Sequence, residues 1–126
     1  MTSAIRRDGG SVSVVLAAAI LVVLVLTMGI ADLGRVLVAR SRARTAADAA
    51  ALAAAQELAL PTGGDPVAIA TDYAVRNGAE LRSCVCEIGT FDALVEVRVR
   101  SVDLLMFPGS LAVDQRARAV VDLPAG

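Results

Sequence analysis

The chain has 126 residues, room for one membrane-length segment and one small domain, and 56% of them are hydrophobic, a share raised by alanine. Twelve basic residues, all Arg, stand against thirteen acids for a formal net charge of −1, and Tyr73, Phe91 and Phe107 are the only aromatics, so the basic footprint and the stacking platforms of a nucleic-acid binder are both missing. There is no His and no Lys, which leaves the serines without an activating base and the scattered acids without a recognisable pairing; these residues point away from an enzyme, a cofactor, a metal, a nucleic acid and a small-molecule substrate.

Residues 1–11 form a short tail carrying Arg6 and Arg7, read as unstructured up to Gly10. Residues 12–31 then run without a charge, about the twenty residues that a hydrocarbon core of roughly 30 Å requires. Such a segment must satisfy its own backbone in lipid and is therefore a transmembrane helix. A cleavable signal peptide is the rival, with Arg6 and Arg7 as its basic region and Gly29-Ile30-Ala31 as small residues at a cleavage site. Its apolar region would exceed the usual length of about 7 to 15 residues, so the uncleaved anchor is preferred. Arg6-Arg7 is a weak twin-arginine match, because Asp8-Gly9-Gly10 is not an apolar continuation.

Asp32, Arg35, Arg40, Arg42 and Arg44 follow at headgroup level, and Asp32 reads as an ordinary boundary charge rather than an intramembrane functional acid. Gly29 and Gly34 are five residues apart, off the small-xxx-small spacing, and read as incidental. Over residues 32–60 the helical pattern continues: Ala43, Ala47, Ala50, Ala54 and Leu58 share one face, while Ser41, Thr45, Asp48 and Gln56 take the other. Small side chains let another backbone approach closely, so this stripe and the trio Ala17, Ala18 and Ala19 are candidate helix-packing residues. The stripe packs either under the chain's own C-terminal domain or between copies. Arg44 and Asp48 form an i, i+4 pair in the weaker order.

Residues 61–126 read as a small α+β domain. Asp65-Pro66 opens a second helix with an N-cap and a first-turn proline, Asn77-Gly78 closes it, and Val67, Ala70 and Ala74 make its buried side with Tyr73 as a fourth member. From Leu81 the period changes to two. Val95, Val97 and Val99 alternate with Glu96, Arg98 and Arg100 as the clearest strand. Residues 81–88 are its hairpin partner, and 111–121 a third strand with Leu111, Val113, Ala117, Ala119 and Val121 inward and a phase slip near Asp114. The expected fold is α+β: a long N-terminal helix, a short second helix and a three-stranded antiparallel sheet whose apolar face the helices cover.

Cys84 and Cys86 are the only thiols. C-x-C without His is too little for a zinc site and is not the C-x-x-C redox spacing. On a strand both face one side, with Cα atoms near the outer limit for a disulfide. Two unlinked thiols come first among the readings, a mutual disulfide second and pairing between chains third.

Taken together, the tail, the anchor and the segment Arg42-Ala43-Arg44-Thr45-Ala46-Ala47-Asp48-Ala49-Ala50-Ala51-Leu52-Ala53-Ala54-Ala55 resemble the TadE-like and TadG-like Flp pilus-assembly proteins, most of all the small actinobacterial TadE-like proteins encoded beside helicase and secretion genes. The resemblance covers the first half of the chain. It implies a pilin-like fold, a minor pilin or pseudopilin role in a Tad-type, type IV-related pilus or secretion assembly, and partners among the membrane, other pilin-like subunits and the Tad machinery. It also implies a leader cleaved after Gly10, with Ser11 as the new terminus. Val15, the fifth residue of that product, stands where many type IV pilins carry Glu.

The charge pattern argues about orientation on its own terms. Arg35, Arg40, Arg42 and Arg44 outnumber Arg6, Arg7 and the terminal amine, which favours a cytoplasmic C-terminal domain. The resemblance and the two cysteines favour the opposite, and the extracytoplasmic placement is adopted. Two rivals from other classes are a soluble effector released by cleavage near Ala31 and a stand-alone single-pass membrane regulator.

Overall fold

The computed structural model describes residues 2–125, and for residues 2–8 and 101 only their place in an element. The architecture is α+β, as expected: α1 (Thr2–Ala59), α2 (Pro66–Arg76), β1 (Glu80–Val85), β2 (Asp92–Asp103) and β3 (Ser110–Val120). The helical backbone takes in Gly9 and Gly10, where an unstructured tail was expected. Propagating an existing helix adds one hydrogen bond for each residue fixed, which offsets a cost of about 1 kcal/mol per glycine relative to alanine.

The strands pair antiparallel in the order β1-β2-β3, and one face of the sheet packs on the C-terminal part of α1. Ala43, Ala46, Ala47, Ala50, Ala54, Ala55 and Leu58 of α1 are buried in one core with Ala93, Val95, Val97 and Val99 of β2. Of the two partners open to the alanine stripe, its own sheet is the one seated on it. Alanine suits the position twice over: it is the best helix former and it lets strand side chains reach the helix backbone.

The strand phase expected for β2 holds, with Val95 and Val97 fully buried and Arg98 on the opposite face, paired with Asp114. On β3 the inward period runs Val113, Gln115, Ala117, Ala119 without interruption, so the slip expected near Asp114 is absent. The irregularity lies further along, between Val99 and Val102 of β2, where the register against β3 shifts. Leu111 lies past that bulge and is exposed, not inward.

α2 is bounded as its caps dictate. The Asp65 carboxylate accepts the Val67 amide at 3.1 Å, Pro66 opens the first turn, Asn77 is the C-cap, and Gly78 follows with φ +76°, a conformation glycine adopts without penalty. Its buried residues are Pro66, Ala70 and Ala74. Val67 and Tyr73, expected inside, are exposed. Each lies one residue, or about 100° of helix, from the i, i+4 line of Pro66, Ala70 and Ala74, and an alanine contact with α1 is too narrow to cover those flanks. Tyr73 instead stacks under the Arg76 guanidinium, 5.7 Å from the ring centre.

Candidate functional site

α1 has two halves with different surroundings. The half from Gly9 through the apolar run has the length and composition to cross a membrane, and none of its most apolar window is buried within the chain. Ala17, Ala18 and Ala19 lie in this half and are exposed on the isolated chain, as are Gly10 and Ser11, the residues flanking the candidate leader cleavage site. In the other half Ala43, Ala47, Ala50 and Ala54 are covered by the domain. The candidate packing residues thus divide into a set open to other molecules and a set used internally.

The junction between the halves is built around Asp32. The residue is 7% exposed, and its carboxylate accepts two amides from the β2–β3 loop, Leu105 N–H at 2.7 Å through Oδ1 and Met106 N–H at 3.0 Å through Oδ2. One turn along, Arg35 Nη1 donates to the Asp103 carbonyl at 2.7 Å. The two amide bonds hold the Asp32 carboxyl below its ordinary value, with Arg35 helping by its charge, against the opposing effect of burial. Asp32 is therefore neither a plain boundary charge nor an isolated acid: it is a clamp between α1 and a loop more than seventy residues away. Gly29 is part of the same junction, since a Cβ placed there would stand 3.8 Å from the Met106 sulfur.

Beside the clamp lies a groove of roughly 630 Å³ between α1 and β2, with Arg35, Arg42 and Arg100 on its walls. Arg100 also bonds Glu80 across the sheet at 2.7 Å. At the far end of α1, Glu57 is equally buried and closes the turn into α2, accepting Thr62 N–H and Thr62 Oγ1–H at 2.7 Å and Gly64 N–H at 2.9 Å. These bonds, the Thr62 hydroxyl first, lower the Glu57 carboxyl.

The outer face of the sheet carries a ladder of ion pairs. Arg98 donates twice to Asp114, at 2.6 and 2.8 Å, Arg116 reaches Glu96 at 2.7 Å, and Arg118 holds Asp92 through both oxygens at 3.0 Å. Arg118 and Arg98 pull the Asp92 and Asp114 carboxyls down. The charges alternating along β2 and β3 thus neutralise one another rather than present one sign to a ligand.

Cys84 and Cys86 are joined as a disulfide with Cα atoms 5.5 Å apart. The unlinked thiols placed first from sequence assumed that both residues lie on an extended strand, where positions i and i+2 stand about 6.6 Å apart. β1 ends at Val85, so the chain has left the extended conformation at Cys86 and the separation falls within the common disulfide range. Among the described residues no group of three or more His, Cys, Asp or Glu is placed to hold a metal ion.

The architecture is thus a long helix whose uncovered apolar half is compatible with single-pass membrane anchoring and whose other half carries a small packed α+β head. Residues 10–57 match the family model described as putative Flp pilus-assembly TadE/G-like, which supports a role related to pilus assembly. The matched range takes in the apolar run and nearly all of the alanine-rich stretch, and leaves α2 and the sheet outside it. No curated protein and no solved structure matches the chain.

Proposed function

We propose that this chain is a non-enzymatic, minor pilin-like or pseudopilin-like membrane subunit of a Tad (Flp) pilus or secretion assembly, with its C-terminal domain outside the cytoplasm. The observation that carries the reading is the division of α1. The family match spans both halves, yet the chain's own sheet covers only the second, leaving the apolar half with Ala17, Ala18 and Ala19 for lipid and for neighbouring helices. The disulfide supports the extracytoplasmic placement, because such bonds persist in oxidising compartments. Partners on this reading are other pilin-like subunits and the Tad machinery.

Processing after Gly10 belongs to the same proposal. The Gly9-Gly10 pair is the weakest helical stretch ahead of the apolar run, since glycine lowers helix stability, and a peptidase requires its site unwound. The test is the N-terminal sequence of the mature protein recovered from the producing cells. A start at Ser11 in the membrane fraction is expected. A start at Asp32 with release into the medium would establish the secreted effector instead, and an intact terminus the stand-alone regulator.

A further inference from the structure

The Asp32 clamp fixes where the β2–β3 loop stands relative to the apolar run, and that position has a consequence. Residues 104–109 read Leu-Leu-Met-Phe-Pro-Gly, six residues without a charge, at one end of a sheet whose outer face is laced with ion pairs. Leu104 is half-buried against the core and fixes the base of the loop. Leu105, Met106 and Phe107 are 54, 41 and 65% exposed, at the loop tip. A tip of this composition is costly in water.

Its location names the occupant. Asp32 is the first residue after the apolar run, and it holds the Leu105 and Met106 amides. Met106 then reaches back to Gly29, which lies inside the run, about 4.5 Å nearer its centre along the helix axis. The loop thus overlaps the end of the anchor rather than standing beyond it. Arg35 and Arg42 on the adjoining groove lie on the domain side of the clamp, the level of lipid headgroups if the run spans the bilayer. Where the run leaves the bilayer, the surroundings that suit an uncharged apolar tip at this depth are acyl chains and headgroups, so the occupant is lipid.

We propose that the β2–β3 loop is a second membrane contact, inserting Leu105, Met106 and Phe107 into the leaflet from which α1 emerges. This rests on the reading of α1 as a bilayer-spanning anchor. Two contacts on one side fix the tilt and rotation of the domain on the membrane, as interfacial apolar segments do when they bury in the headgroup–acyl boundary. The device converts a tether into a rigid stalk: α1 sets the depth, the clamp sets the loop, and the loop sets the domain's orientation.

The chain contains no Trp, so single tryptophans report position directly. Full-length Phe107→Trp is compared with Val22→Trp, in the middle of the apolar run, and with Phe91→Trp, at the opposite end of β2. Each is reconstituted in vesicles of equal parts phosphatidylglycerol and phosphatidylcholine brominated on its acyl chains, with iodide as the aqueous quencher on both sides. Phe107→Trp is expected to emit to the blue of Phe91→Trp, to lose most of its emission to brominated chains as Val22→Trp does, and to resist iodide. If Val22→Trp is quenched by lipid while Phe107→Trp responds only to iodide, the loop contact is wrong and the anchor stands. If neither responds to lipid, the anchor reading fails and the loop contact with it. If Phe107→Trp is shielded from both quenchers, protein covers the tip and the lipid contact is overturned.

Discussion

Asp32 shows how one residue can be visible in a sequence while its role is not. As the first charge after the apolar run it has the position of any boundary acid, and its two partners are backbone amides of Leu105 and Met106, groups that no side-chain pattern reveals. Asp32→Ala removes the acceptor and leaves two loop amides unpaired. The expected outcome is faster hydrogen exchange at Leu105 and Met106 with little change at Val95 and Val97, which depend on the sheet. Unchanged exchange at the loop would show that the clamp does not hold it. Gly29 is hidden in the sequence for a related reason: its neighbour is a sulfur from a loop far along the chain, not a small residue at packing distance on the same helix. By contrast Asp65, Pro66, Asn77 and Gly78 act on their own backbone within a few residues, so their roles could be read directly.

At the scale of elements, α1 and β2 determine the domain. β2 was legible because Val95, Val97 and Val99 alternate cleanly with charges, and a half-buried strand requires that alternation. α2 was legible in its ends but not in its faces, since Val67 and Tyr73 are apolar residues that a short helix has no room to cover. The disulfide was obscured because sequence placed both cysteines on the strand, whereas β1 ends between them. Val97→Asp puts an uncompensated charge against the alanine face of α1 and is expected to cost on the order of 3–5 kcal/mol, most of the stability of so small a domain. Arg98→Ala, on the outer face, gives up its surface pair with Asp114 and is expected to cost only a small fraction of what Val97→Asp does. Equal midpoints for the two variants in denaturant titration would mean that β2 is turned the other way.

The molecule as a whole joins an apolar helical half to a head held by buried alanine and by carboxylates in defined bonds. Asp32, Glu57, Asp92 and Asp114 all have their carboxyls lowered, by the Leu105 and Met106 amides, by Thr62, by Arg118 and by Arg98 in turn. A carboxyl lowered in the folded state adds stability above its unfolded value, and that contribution is lost as pH falls through the folded one. The head is therefore expected to hold constant stability from neutrality down to about pH 5 and to weaken steadily below about pH 4, as read by thermal melts across the series. A loss of stability on going from pH 7 to pH 5 would contradict this distribution of bonds.

On the proposed function, the uncovered half of α1 packs among other subunits instead of merely dissolving in lipid. Ala47 cannot test it, because Ala47 lies under the sheet and Ala47→Leu is expected to overpack the head first, at about 1–3 kcal/mol. Ala17, Ala18 and Ala19 lie away from the head, so leucine there leaves the domain intact and keeps the segment apolar. The decisive measurement is recovery of partner pilin-like subunits with the full-length protein from solubilised membranes, for the parent and for leucine at each of these three positions. Normal membrane levels of all variants and reduced partner recovery are expected, most of all for Ala18→Leu; unaltered recovery across all three would mean that α1 is a plain anchor.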